Sequence, residues 1–172
     1  KHRKQHGGPL EAALSNVQVR ERRELSPGEL VDRLTEIAPA TVRKRTSTPA
    51  PMRRMKLAID GPVVEKWALG YLIDTIYLRD TWMHRIDAAD ATGRELVVTA
   101  DHDGRIVADV VAEWARRHGR SFDLTLTGAA GGHYTANGSG EREVIELDAV
   151  DFCTTLAGRR EGTGLMATIV PF

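Results

Sequence analysis

The chain is poor in cysteine and in aromatic residues. It has a single cysteine, Cys153, and its Phe, Trp and Tyr residues together make up 5% of the sequence. One cysteine excludes an intramolecular disulfide and a zinc site built from cysteines. Because Cys153 lies in a predicted amphipathic helix, we expect a buried, unreactive thiol rather than a nucleophile.

The sequence also lacks a long apolar run and an excess of charge of either sign. No stretch approaches the roughly 18 apolar residues of a transmembrane helix, and no signal peptide is apparent. We therefore expect a cytoplasmic protein with no membrane partner. The 24 basic and 24 acidic residues cancel, so no net field attracts nucleic acid and we expect no nucleic-acid partner.

Two helices are predicted near the start of the chain. The first covers residues 10–19, and the second begins at Ser26-Pro-Gly-Glu29, with Ser26 as N-cap and Glu29 at the third helical position. Pro39 is expected to kink or split the second helix. The expected buried face of that helix consists of Leu30, Leu34, Ile37 and Val42. Residues 46–55, rich in Thr, Pro and Arg, are predicted to form a loop.

A longer helix is predicted to begin at Asp60-Gly61-Pro62 and to end at Gly93, a residue typical of the position after a helix. Residues 62–92 of this helix are the candidate metal helix. Together with the shorter helices it forms a predicted domain of residues 1–94. We expect an antiparallel helical bundle there that is one helix short of completion.

Residues 95–172 have the pattern of a small α+β domain. Asp103 is expected to cap an amphipathic helix that ends at Gly119, and Asp148 to cap a final helix. Asn137-Gly138 is a hairpin signal. Residues 95–99 fit a strand or a linker, and the predicted strands are 122–127, 133–136, 143–147 and 168–170. The predicted fold class is α+β, a helical bundle followed by a small α/β sandwich with an antiparallel sheet.

Asp80, His84 and Asp87 carry the strongest functional signal. Their spacing puts them on one helix face, and apolar residues continue that face toward the amino terminus: Leu69, Ile73, Ile76 and Tyr77. A carboxylate on such a buried stripe is stable only when it is paired or bound to a metal. An acid and a His four residues apart can hold one divalent metal together. The alternative is a half-exposed face on which Asp80 pairs with His84 or Arg85.

A catalytic metal site takes three protein ligands and keeps one position open. Asp80 and His84 supply two, and we expect the third from a neighbouring helix. Residues 10–60 contain no His, so His2 and His6 are the upstream candidates. The alternative is that these two residues belong to a disordered basic tail and bind no metal. The remaining histidines are expected at the surface: His102, His118 and His133.

The sequence Asp80-x-x-x-His84-x-x-Asp87, followed by Ala91-Thr-Gly93, resembles the metal-binding helix of the mycothiol-dependent maleylpyruvate isomerase family. Members of that family have a DinB-like four-helix bundle. The second half is similar to their C-terminal domain, which is like a sterol carrier protein. That similarity rests on Asp103-Gly104, Leu124-Thr-Leu-Thr-Gly128, Gly131-Gly132 and Leu156-Ala-Gly-Arg159. It covers most of residues 25–160.

The resemblance implies that Asp80 and His84 bind a divalent metal, usually zinc, with Asp80 in place of the family's more common Glu. It implies that Asp87 orients His84 and that Arg159 is a catalytic residue that holds a substrate carboxylate. The family's third ligand lies on its first bundle helix, which has no counterpart here, so no residue is assigned to it. The implied cofactors are zinc and mycothiol.

Three functions stay open from the sequence. The first is a thiol-dependent metalloenzyme, an isomerase or S-transferase, whose partners are a small-molecule thiol and an electrophilic substrate. The second is a non-catalytic module that binds an apolar ligand in its C-terminal half and uses the bundle as a scaffold. The third is an interaction protein with a structural Asp80–His84 pair. If the natural protein lacks the missing helix, a homodimer would complete the bundle, or the site would be inactive.

Overall fold

The structure, a computed structural model, describes residues 10–59 and 65–172, with side-chain burial from residue 15 onward in the first range. It is a mixed α+β protein, as predicted. In chain order the elements are α1 (Leu10–Arg22), α2 (Pro27–Thr46), α3 (Ala50–Arg53), β1 (Lys56–Ile59), β2 (Glu65–Ala68), α4 (Leu69–Tyr71), a π-helical turn (Leu72–Ile76), α5 (Tyr77–Thr92), α6 (Asp103–His118), β3 (Arg120–Thr127), β4 (Gly132–Ala136), β5 (Ser139–Asp148), α7 (Ala149–Leu156) and a 3-10 turn (Gly164–Ala167).

The chain divides into two compact units, residues 1–73 and 74–172. The sequence pattern placed a domain boundary after residue 94. The division in the structure puts the candidate metal residues of α5 in the same unit as α6 and the three-stranded sheet.

The first unit has two short antiparallel strands where a helix is predicted. β1 and β2 pair from Lys56 with Ala68 to Ile59 with Glu65, so residues 65–68 of the predicted helix 62–92 are extended. The described helical part begins at Leu69, and the predicted start at residues 60–62 lies outside the described residues. The helix prediction is wrong at 65–68 because the chain there pairs with β1, whose exposed and half-buried residues alternate at the two-residue period of a strand.

The start of α2 is confirmed. The Glu29 N–H donates to Ser26 Oγ at 3.3 Å, and the Ser26 N–H donates to the Glu29 carboxylate at 2.8 Å, which makes a reciprocal capping box. Pro39 lies inside the helix, which continues unbroken to Thr46. The predicted loop at 46–55 is correspondingly shorter, because it contains the end of α2 and all of α3.

The predicted buried face of α2 is not buried. Within the described part of the chain, α2 has no buried residue. All of its large apolar side chains are exposed: Leu30, Val31, Leu34, Ile37 and Val42. The DinB-like bundle therefore stays a prediction.

The core lies in the second unit, between α6 and the sheet. The inward residues of α6 follow the period of a helix, while those of β3 alternate as a strand requires. The buried side chains larger than alanine that form the hydrophobic core in these elements and in α7 are Ile106, Val107, Val110, Val111, Trp114, Phe122, Leu124, Leu126, Phe152, Cys153 and Leu156. Trp114 packs edge-on against Phe122 and Phe152, and its indole N–H donates to the Leu165 carbonyl at 3.0 Å.

The prediction for Cys153 is confirmed, because its side chain is fully buried. Burial raises the pKa of the thiol to about 12. The thiol is therefore protonated at neutral pH, which suits a residue that only fills the core.

The three-stranded sheet is mixed, which corrects the prediction of an antiparallel sheet. Its order is β4-β3-β5, with β4 antiparallel to β3 and β5 parallel to it. The Asn137-Gly138 signal therefore does not join two neighbouring strands. These two residues carry the chain from the end of β4 past the start of β3 to the opposite edge of the sheet, where β5 begins. A side chain at position 138 would meet the backbone of Gly119 and would lie 2.7 Å from the Arg120 carbonyl carbon.

The predicted end of α6 and the predicted start of α7 are confirmed. Gly119 ends α6 in the left-handed region, with φ of 64°, and the Asp148 carboxylate accepts the N–H groups of Val150 and Asp151 at the start of α7. The predicted strand 168–170 is wrong. Val170 is buried and donates its N–H to the Leu156 carbonyl at 3.0 Å, a single bond to a helix end rather than a strand ladder.

None of the described helices combines the length and the apolarity that crossing a membrane requires.

Candidate metal centre

The candidate residues lie beside the buried face of α5 rather than on it. The buried residues of α5 are Arg79, Trp82, Met83 and Ile86. The side chains of Asp80, His84 and Asp87 are 53%, 65% and 42% exposed. The prediction that they occupy a buried stripe is therefore wrong. A helix turns about 100° per residue, so the choice of 79-82-83-86 as the core stripe moves positions 80, 84 and 87 to its flank.

Tertiary structure brings together all four residues that the sequence assigned to the site. His84 Nε2 lies 3.5 Å from Asp80 Oδ1, and His84 Nδ1 lies 3.0 Å from Asp87 Oδ2. Arg159 binds the same Asp87 carboxylate with two bonds, Nε to Oδ1 at 3.0 Å and Nη2 to Oδ2 at 2.8 Å. The site is therefore a chain of contacts, Asp80–His84–Asp87–Arg159.

Arg159 reaches the site because α7 ends just before it. Gly158 adopts a φ of 74°, in the left-handed region, and the Arg159 N–H donates to the Thr154 carbonyl at 3.0 Å. This end of the helix directs the guanidinium to a residue 72 positions earlier in the sequence. Arg159 therefore lies close to the candidate metal residues. Its partner in the structure is Asp87.

The charge of Asp87 is held by its neighbours. The hydrogen bonds from the Arg159 guanidinium are the main cause that lowers the pKa of Asp87. Burial opposes them, and the smaller effect of the hydrogen bond with His84 lowers the pKa further. The carboxylate therefore stays ionised at neutral pH and can only accept a hydrogen bond. We assign a proton to His84 Nδ1 on this ground.

A proton on Nδ1 leaves Nε2 as the ring nitrogen that can bind a metal. Nε2 lies 3.5 Å from Asp80 Oδ1, and a cation placed between the two atoms could contact both. Zinc with ligand bonds of 2.0–2.2 Å in tetrahedral geometry separates two ligand atoms by about 3.4 Å. The separation of Nε2 and Oδ1 is close to this value, so Asp80 and His84 fit two positions of a zinc site.

The described residues supply no third ligand. Across residues 10–59 and 65–172 there is no group of three His, Cys, Asp or Glu side chains that could hold a metal. Asp87 is engaged by His84 and Arg159. His2 and His6, the upstream candidates, lie outside the described residues.

The other histidines are held in different ways. His133 is exposed and lies 2.7 Å from Asp123 Oδ1 through its Nε2. His102 is exposed, as expected. His118 is half-buried, with its ring against Trp114 and Phe122, and burial lowers its pKa. The surface prediction therefore holds for His102 and His133 and is wrong for His118.

A buried ionic cluster in the second unit escaped the sequence analysis. The Arg79 guanidinium is 1% exposed and donates to Glu113 at 2.8 Å, to Asp109 at 2.7 Å and to the Pro171 carbonyl at 3.0 Å. Glu113 also accepts from Arg117. The signal available in the sequence is the phase of Arg79, which shares a helix face with Trp82, Met83 and Ile86. This cluster joins α5, α6 and the carboxyl-terminal segment.

Comparisons of the chain with family models, with curated proteins and with solved structures give no significant match. The resemblance drawn from the motifs therefore remains a hypothesis, and the geometry of α5 and Arg159 is the independent support for a site.

Proposed function

We propose that this chain is a metal-dependent enzyme that uses a mycothiol-type thiol, an isomerase or S-transferase, with Asp80 and His84 as two of its zinc ligands. The observation that carries the metal part of the proposal is the 3.5 Å distance between His84 Nε2 and Asp80 Oδ1. The thiol and the electrophilic substrate come from the resemblance in motifs.

Each residue of the site has a distinct role in this proposal. Asp80 and His84 hold the metal, and Asp87 keeps His84 in the tautomer that leaves Nε2 free to coordinate. Zinc, when bound, supplies Lewis-acid activation, which lowers the pKa of a coordinated thiol. Arg159 fixes Asp87 through Nε and Nη2, and we assign its Nη1 group to a substrate carboxylate.

A non-catalytic scaffold or ligand carrier with a degenerate metal site is the second candidate. The ligand count favours it, since the described residues give two donors and a catalytic zinc site takes three. An apolar ligand channel between α6 and the sheet is not favoured, because Val107, Val110 and Leu124 at that interface are completely buried.

The test is a calorimetric titration of untagged full-length protein with zinc at neutral pH. We expect wild type to bind about one zinc per chain and His84→Ala to bind at least about tenfold more weakly, because it removes one of two ligands held in place. His133→Ala is the matched control, since His133 is also exposed and also paired with an aspartate. It should bind zinc as wild type does.

Equal zinc affinity in wild type and His84→Ala would contradict the site. A second measurement separates the two candidates: ultraviolet absorbance of thiolate when mycothiol is added to the zinc-loaded protein. Thiolate formation in wild type that His84→Ala lacks would support the enzyme. Zinc binding without thiolate formation would support the scaffold.

A further inference from the structure

The helix α2 presents an apolar face without a described partner. Its five large apolar residues are exposed, among them Leu34 at 63% and Val31 at 62%. No residue of the first unit is buried within 15–59 and 65–73, the range in which burial is described. The described part of the first unit, which includes these exposed side chains of α2, therefore has no buried core.

An amphipathic helix of this kind is stabilised mainly by packing its apolar face against a partner. Twenty residues of α2 form a rod about 30 Å long, and the apolar residues extend from Leu30 to Val42 along it. The face is long enough for a helix–helix interface over about three turns.

The charges of α2 indicate what the partner is. Its first half, residues 27–36, carries Glu29, Asp32, Glu36 and Arg33, for a net charge of −2. Its second half, residues 37–46, carries two arginines and one lysine, for a net charge of +3. Packed helices lie 8–10 Å apart, within the screening length of about 10 Å at 0.1 M salt. Two copies of α2 in antiparallel orientation would therefore place each acidic half beside a basic half.

The apolar face is compatible with the same arrangement. About a twofold axis near residue 36, Leu34 of one copy is level with Ala38 of the other, so a large side chain meets a small one. Leu30 of one copy is level with Val42 of the other, so two apolar side chains meet there. The helix dipoles also oppose each other favourably in an antiparallel pair.

We propose that the α2 face is a homodimer interface in which two copies of this chain pack their α2 helices in antiparallel orientation. The interface is isologous, because each copy contributes the same residues. The proposal is independent of the metal site.

The test measures the mass of the full-length protein by sedimentation velocity over a range of micromolar concentrations. Wild type is expected to form a dimer. Leu34→Glu places a charge at the centre of the face and should raise the dissociation constant at least about tenfold. Ala40→Glu is the matched control, because it puts the same charge on the same helix about 120° away from Leu34, and it should dimerise as wild type does.

Two results would overturn the proposal. One is a monomeric wild type at every concentration, including the case in which slow hydrogen exchange in α2 shows that another part of the same chain covers it. The other is a dimer whose stability Leu34→Glu does not change. Far-ultraviolet circular dichroism of each variant establishes that the fold is retained, since the substituted positions are exposed.

The orientation is tested separately with pairs of variants. A Leu30→Cys chain mixed with a Val42→Cys chain should form the mixed disulfide in preference to either self-linked product. Preferential self-linking of Leu30→Cys would show a parallel pair and overturn the antiparallel arrangement. The native Cys153 is fully buried and does not compete. A D32K/E36K chain and an R43E/K44E/R45E chain should each dimerise more weakly than their mixture, and increasing salt should reduce that difference.

Discussion

Asp103 illustrates at the scale of one residue how a buried carboxylate is stabilised. Its side chain is 2% exposed. It accepts the Thr99 N–H at 2.8 Å, the Trp82 indole N–H at 2.7 Å and a bond from Arg85 at 3.0 Å. Burial by itself raises the pKa of Asp103, and these bonds outweigh burial and lower it from 3.8 to about 2. The residue was expected to cap α6, and instead it joins α5 to the turn before α6.

The first prediction at this scale is that Asp103→Asn lowers the free energy of unfolding by about 2 kcal/mol at neutral pH, from a pKa difference of nearly two units at about 1.4 kcal/mol each. Because folding lowers the pKa of Asp103, the contribution of its carboxylate to the free energy of unfolding is fully present above the unfolded-state pKa of 3.8. That contribution is lost as the pH falls through the folded-state pKa of about 2. Urea denaturation of wild type and variant at a series of pH values measures it. A wild-type minus variant difference that stays constant down to the lowest pH would contradict the assignment.

The contacts of the candidate metal residues depend partly on neighbouring residues and partly on distant parts of the chain. The sequence spacing identified Asp80 and His84 as neighbours, and the structure confirms their proximity. That Arg159 forms a two-bond contact with Asp87 follows only from the packing of α7.

At the scale of elements, α5 shows why a helix pattern can be assigned to the wrong face. Continued at the period of a helix, the apolar residues Leu69, Ile73, Ile76 and Tyr77 lead to positions 80, 84 and 87, which is the face that the sequence predicted to be buried. The structure buries Arg79 because Glu113 and Asp109 neutralise it. Partners on α6 therefore decide which face of α5 is turned inward, and those partners are about 30 residues away in the sequence.

The connection between β4 and β5 gives a second prediction. Gly138→Ala is expected to lower the free energy of unfolding by about 2–4 kcal/mol, because the new methyl group would meet the backbone of Gly119 and Arg120. Gly104→Ala is the control within the same unit. Gly104 lies in α6, and a Cβ there would make ordinary contact with the Ala130 carbonyl oxygen at 3.7 Å. Helix propensity predicts that Gly104→Ala raises the free energy of unfolding by up to about 1 kcal/mol.

Chemical denaturation of the two glycine variants provides the measurement. Equal stability of Gly138→Ala and wild type would show that the chain between β4 and β5 does not pass as closely to the start of β3 as the structure indicates.

At the scale of the whole molecule, the two units differ in how much apolar surface they bury. The buried hydrophobic residues described here all lie between Ile76 and Val170. The second unit has a core built from helices on a sheet, whereas the described part of the first has exposed helices and a two-stranded sheet. Since apolar burial is the main favourable contribution to folding, stability should be concentrated in the second unit.

We therefore predict that residues 74–172 expressed alone unfold cooperatively and keep the near-ultraviolet circular dichroism of Trp82 and Trp114. Residues 1–73 alone, diluted to a concentration at which α2 does not dimerise, should show helical content that falls gradually with temperature, because a helix without tertiary packing is marginal in water. A non-cooperative 74–172 fragment would contradict this view of where the core lies.

The features that depend on neighbouring residues could be predicted from the sequence alone. The capping box at Ser26, the end of α6 at Gly119, the cap of α7 at Asp148 and the alternation of β3 each rest on bonds or periods within a few residues. The two-ligand spacing of Asp80 and His84 is of this kind as well.

Four other features follow from long-range packing alone: the order of the strands, the inward face of α5, the exposure of α2 and the contact between Arg159 and Asp87. Each of these features depends on which groups distant in the sequence come into contact, or fail to, once the chain is folded. Position 79 is buried because carboxylates from α6 neutralise it, and β5 pairs with β3 in parallel because Gly138 lets the chain pass close to its start. Local periodicity allows these outcomes and does not select among them.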